Sequence, residues 1–107
     1  MAEVEWTIPA LNDLERILEY IELDDNLAAR KLAEKVFTKT RQLEEFPDSG
    51  SKPEELIGTP YRRDIVGPIL IYHRRTGDLV YIVHVRRGEM DFRIQDIIDQ
   101  DKGEQVD

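Results

Sequence analysis

Residues 62–87 read RRDIVGPILIYHRRTGDLVYIVHVRR, three short runs of β-branched and aromatic residues separated by Gly67-Pro68 and by Thr76-Gly77-Asp78. Such side chains suit a pleated, half-buried surface, and Gly beside Pro or Asp marks a tight reversal, so the stretch predicts a three-stranded antiparallel meander. With Gly67-Pro68 as a two-residue turn, Val66 faces Ile69 and Ile65 faces Leu70. With Thr76-Gly77 as the next turn, Tyr72 faces Tyr81 and Leu70 faces Val83. Because side chains alternate across a strand, one face then carries Ile65, Leu70, Tyr72, Leu79, Tyr81, Val83 and Val85. The other carries Val66, Ile69, Ile71, His73, Val80, Ile82, His84 and Arg86. Both faces are apolar, whereas an antiparallel sheet with one wet side shows a polar face. One face is therefore expected under helices and the other under a terminal helix or a partner protein.

Those helices lie upstream. Val4, Trp6 and Ile8 alternate with polar residues as a short half-buried strand does, and Pro9 fits the first turn of a helix. In ALNDLERILEYIE, Leu11, Leu14, Leu18 and Ile21, with Ile17 beside them, form one helical stripe, and Asp13, Glu15, Arg16 and Glu19 are placed on the opposite side. LDDN interrupts the pattern, and Asp25 or Asn26 can cap a second helix carrying Ala29, Leu32, Ala33, Val36 and Leu43. Two amphipathic helices with a short connection form an antiparallel hairpin whose apolar face needs a sheet. DSGSKPEELIGTP reads as a surface loop with a helical turn at Glu54–Leu56. Ile94, Ile97 and Ile98 give one face to a short C-terminal helix, and residues 101–107 read as a polar tail. The expected class is α+β: an N-terminal strand and an antiparallel helical hairpin packed on a mainly antiparallel sheet, in the order β-α-α-β-β-β, with a short C-terminal helix. Residues 1–100 are expected to form a single domain.

Composition narrows the chemistry. The chain of 107 residues has no cysteine and two histidines, so disulfides and thiolate zinc sites are excluded, and no metal or cofactor is expected. MAEVEWTI lacks the basic start of a secretory signal, and no apolar run approaches the roughly 20 residues that span a bilayer, so a cytoplasmic protein without membrane contact is expected. The net charge of −8 is uneven: residues 61–93 hold seven arginines against four acids, while the flanking segments are strongly acidic. Arg62–Arg63 and Arg74–Arg75 gather at one end of the expected sheet and Arg86–Arg87 at the other. A block of Arg without Lys favours bidentate or stacked contacts. In the expected register His73 and His84 lie about four residues apart along the strands, roughly 13 Å, too far to share a metal. Each is either a covered sheet-face histidine or a contact or catalytic group.

The order of elements, with PALNDLERILEYI, NLAAR, LEEFPDSG and RRDIVGPILIYHRRTGDLVYIVHVRRGEMD, resembles the RelE/ParE superfamily of type II toxin–antitoxin toxins, and is most similar to the ParE branch. The resemblance covers about residues 3–93. It implies a toxin neutralised by a cognate antitoxin, assembling as a homodimer or a toxin–antitoxin hetero-oligomer. ParE-type toxins inhibit DNA gyrase, whereas RelE-type toxins cleave mRNA on the ribosome. The RelE pattern has an Arg where this chain has Ile69, and an active-site Tyr beyond the last strand where this chain has none. The resemblance therefore implies a protein target, with gyrase first, and no direct nucleic-acid contact. Expected antitoxin contacts are Ile69, Ile71, Ile82 and His84 on the second sheet face, with Arg62, Arg63, Arg86 and Arg87 anchoring acidic groups of a partner. Two rival readings are an endoribonuclease using His73 or His84 as base, and a homologue without toxicity retained as a binding module.

Overall fold

A computed structural model describes residues 1–89 and 92–105, with side chains through residue 102. The elements are β1 (Glu3–Trp6), α1 (Ile8–Glu22), α2 (Asn26–Gln42), a 3₁₀ turn (Glu54–Leu56), β2 (Tyr61–Val66), β3 (Ile69–Thr76), β4 (Leu79–Arg87) and α3 (Ile94–Gln105). The sheet is mixed, in the order β1-β4-β3-β2, with β1 parallel to β4 and the other pairs antiparallel. Local chemistry explains the helix starts. Thr7 caps α1, its Oγ1 accepting from Ala10 N at 3.3 Å with Pro in the first turn, and Asp25 caps α2 by accepting from Ala28 N at 3.0 Å.

The two hairpin turns place Gly67 and Gly77 at φ of 57° and 59°, as the first central residues of two-residue loops where a left-handed backbone favours Gly. For β2–β3 this matches the expected register, with Val66 opposite Ile69. For β3–β4 it does not: the loop is Gly77-Asp78, so Thr76 pairs with Leu79 and Arg74 with Tyr81. A bulge follows, because His73 pairs with Ile82 but Tyr72 with His84, leaving Val83 as the extra residue. A bulge rotates the rest of its strand. From His84 onward β4 therefore presents the face opposite to the one expected from strict alternation.

The helical hairpin covers the face that the sequence reading left open. Ala10, Leu14, Ile17, Leu32 and Val36 pack with Val66, Ile69, Ile71, Val80, Ile82 and Val85 in the main core. Ile69, Ile71 and Ile82 are fully buried there, so they form core and cannot meet an antitoxin on a free surface. The physical reason is helix placement: the hairpin packs on the face that carries Val66, Ile69, Ile71, Val80 and Ile82. The second face carries Tyr61, Tyr72 and Val83 beneath Leu56 and Ile97, the latter from α3. Asp101 locks this helix down, accepting from Tyr61 OH at 2.9 Å and from Arg74 Nε and Nη2 at 2.6 and 3.0 Å. Helix α3 thus continues through Gln105, into the segment expected to be a polar tail; residues 106 and 107, and Asp91 of the resemblance motif, lie outside the described residues. Among the described residues no helix is long and apolar enough to cross a membrane, and no three metal-ligating side chains cluster.

Candidate functional site

The site grows from a gap in the sheet. Strand β1 ends at Trp6, opposite Ile82, and would leave the outer edge of β4 bare from there on. Unpaired edge groups buried against protein are costly. Helix α1 supplies the partners instead: Thr7 N and Oγ1 both donate to Ile82 O, at 3.1 and 2.9 Å, and Val85 N donates to Asp13 Oδ2 at 3.3 Å. Asp13 is therefore buried, on the stripe of Ala10, Leu14 and Ile17, where the sequence reading had placed it on the solvent side. An acid at the spacing of a core stripe was the available signal.

Around Asp13 a polar network forms. Its Oδ1 accepts from Arg16 Nη2 at 2.7 Å, and its Oδ2 lies 3.3 Å from His84 Nδ1 and 3.5 Å from Gln100 Nε2. Gln100 Oε1 also meets His84 Nδ1. Two acceptors at Nδ1 assign the imidazole proton to that nitrogen. The other nitrogen, Nε2, makes no hydrogen bond among the described residues. His84 lines a groove of about 370 Å³ between α1 and the end of β4, together with Arg16, Tyr20, Arg86, Arg87 and Phe92.

The groove's arginines are engaged. Arg86 donates to Tyr72 OH at 3.0 Å and lies over Phe92, whose ring stacks on Tyr72 with centroids 5.1 Å apart. Arg87 lies 4.6 Å over the Tyr20 ring and pairs with Glu89. The Glu89 carboxyl sits below its ordinary pKa, first through a hydrogen bond from its own backbone amide and then through Arg87. Cation–π stacking and ion pairing fix both guanidinium groups without burying them fully.

Of the residues expected to act, the structure brings His84, Arg86 and Arg87 together. It leaves Arg62, Arg63 and His73 at the far end of the sheet. Arg63 pairs with Glu55 at 3.5 Å on the second face. His73 is 1% exposed under the hairpin side, its Nε2 2.8 Å from Asp64 Oδ2, with Lys39 Nζ 3.8 Å from the other carboxylate oxygen. Asp13, Arg16, Tyr20 and Phe92 were not anticipated at the site. The partners of His84 come from α1 and α3, and nothing local to β4 announces them.

Comparison with known proteins accords with this architecture. The family model described as the ParE toxin of type II toxin–antitoxin system, parDE, matches residues 4–92. The chain is 35% identical over 90 residues to Toxin RelE2 of Caulobacter vibrioides, covering 82% of this chain and 97% of that protein. Its fold is similar to a chain of the chromosomal ParDE TA system from P. aeruginosa, with a TM-score of 0.71 and 20% identity, covering 83% of this chain and 98% of the other.

Proposed function

Since the chain belongs to the ParE toxin family of type II toxin–antitoxin systems, we propose that it is a toxin that docks on a protein target through the groove at the end of β4, with DNA gyrase as the target. The observation that supports this reading is the engagement of the groove's cations. Arg16, Arg86 and Arg87 each hold a carboxylate, hydroxyl or ring, leaving a surface of stacked Arg, Tyr and Phe beside Ile17. Fixed arginines among aromatic rings are the chemistry of protein hot spots, and they cost little further ordering on binding. Family membership implies a cognate antitoxin. Since Ile69, Ile71 and Ile82 are core, its contacts are assigned to His84 and to exposed apolar side chains that continue from Tyr20 around the hairpin tip, Leu23 and Leu27. Purified gyrase, assayed for supercoiling with increasing toxin, tests the target: inhibition is expected, and full supercoiling at a large molar excess removes gyrase from the account.

One observation favours a second reading. Asp13 and Gln100 hold His84 with the proton on Nδ1, and such a ring can take a proton at Nε2, as a 2′-hydroxyl attack on RNA requires. Of the two histidines, His84 lines the β4 groove and His73 is nearly fully buried against Asp64, which favours His84 as the base in this reading. Under this reading His84→Ala abolishes growth arrest and ribosome-associated mRNA cleavage. Under the docking reading His84→Ala leaves most of the arrest.

A further inference from the structure

A second polar cleft lies at the opposite end of the sheet, on the hairpin side, where α2 has already ended. It encloses about 250 Å³ and is lined by Pro47, Asp48, Pro60, Arg62, His73, Arg74 and Arg75. Strand pairing creates it: Arg62 lies directly opposite His73, so both side chains share the hairpin face, and Arg75 falls two residues beyond His73 on the same face. Arg62, half-buried, makes no hydrogen bond or ion pair among the described residues.

The floor of the cleft is oriented from behind. His73 Nε2 is held by Asp64, and the loop backbone closes over that pair at Gly50, whose φ is 96°. A Cβ at Gly50 would sit 3.2 Å from both His73 Nε2 and Asp64 Oδ1 and 3.0 Å from Arg63 O, so only Gly allows this approach. With Nε2 taken, the ring offers Nδ1, which makes no hydrogen bond among the described residues. At the mouth, Arg75 Nη1 already holds an oxyanion, Asp48 Oδ2, at 2.6 Å, while Arg74 is occupied by Asp101 on the other face.

We propose that this cleft binds a phosphate group, free or as a phosphate monoester, with Arg62 and Arg75 clamping its oxygens above the His73 ring. The guanidinium forks match phosphate geometry. The volume admits a phosphate with part of an attached group. The site does not depend on the toxin reading, since it lies away from the β4 groove and shares no residue with it.

The test is an NMR titration of the full chain with inorganic phosphate and, separately, with adenosine monophosphate, following the ring resonances of His73 and His84. Saturable movement of His73 with His84 unmoved is expected, weakened about tenfold by Arg62→Ala and unchanged by Arg16→Ala in the other groove. Tighter binding of the nucleotide assigns the source to nucleotides, and equal binding assigns it to free phosphate. Should Arg62→Ala unfold the domain, Arg75→Gln at the exposed mouth carries the same expectation. Non-saturating movement of both histidines alike, or saturation unaffected by either arginine variant, overturns the proposal.

Discussion

His73 and His84 both meet an aspartate, and they differ in everything else. His73 is 1% exposed, its Asp64 side closed by the Gly50 loop with Lys39 beside the carboxylate and its ring lining the cleft of Arg62 and Arg75. The His84 side chain is 14% exposed and shares its carboxylate with an amide, a backbone N–H and an arginine. A carboxylate partner therefore does not by itself tell the two histidines apart. Position relative to the covering elements separates them: one carboxylate lies behind a closed loop, the other at an edge where β1 has stopped and α1 only partly replaces it.

The sharpest way to break this comparison is to remove each carboxylate. Asp64→Ala leaves a buried imidazole without its acceptor, a change that costs about 3–5 kcal/mol where a buried pair is broken, and urea denaturation should show it. Asp13→Ala should cost less, about 1–3 kcal/mol, because the groups it frees border an open groove. Equal losses would contradict the distinction between a closed and an open carboxylate. Neighbouring positions on β4 sharpen it further. Ile82→Ala removes fully buried core and should cost about 2–5 kcal/mol, whereas His84→Ala should cost under about 1 kcal/mol.

A smaller effect concerns the face under α3. Burial and donation to Asp101 push the Tyr61 phenol up to about 12 from 10.0, with Arg74 opposing. A raised folded-state pKa means that this contribution is complete below the unfolded value and is lost as pH rises through about 12. Tyrosinate absorbance should therefore show a late-ionising component from Tyr61, and Asp101→Asn should move it to lower pH. An unchanged titration in the variant would mean that Asp101 does not govern Tyr61.

How much of this was legible in the sequence varies by element. The β2–β3 register follows from Gly67-Pro68, because a Gly able to take positive φ fixes a two-residue loop. The β3–β4 register was missed twice: Gly77, not Thr76, opens the turn, and the bulge at Val83 has no local signature, since Val83 is as β-branched as its neighbours. The apolar stripe of α1 was partly visible, but Asp13 was read by its charge and not by its position at the spacing of Ala10 and Ile17. Ile97 was visible as the anchor of α3. The lock of Asp101 on Arg74 and Tyr61, across 27 and 40 positions, was not, because long-range polar pairing leaves no periodic trace. The site was legible only as a cluster of arginines; its partners on α1 and α3 are set by the tertiary fold.

The central claim, that the β4 groove engages a protein target, is tested most directly by titrating DNA gyrase supercoiling with the wild-type chain and with a Tyr20→Ala/Arg87→Ala variant whose fold is checked by circular dichroism. Inhibition by the wild type and at least about tenfold weaker inhibition by the variant, the loss expected for a hot-spot pair, is the predicted result. Equal inhibition by both, or none by the wild type, would contradict it.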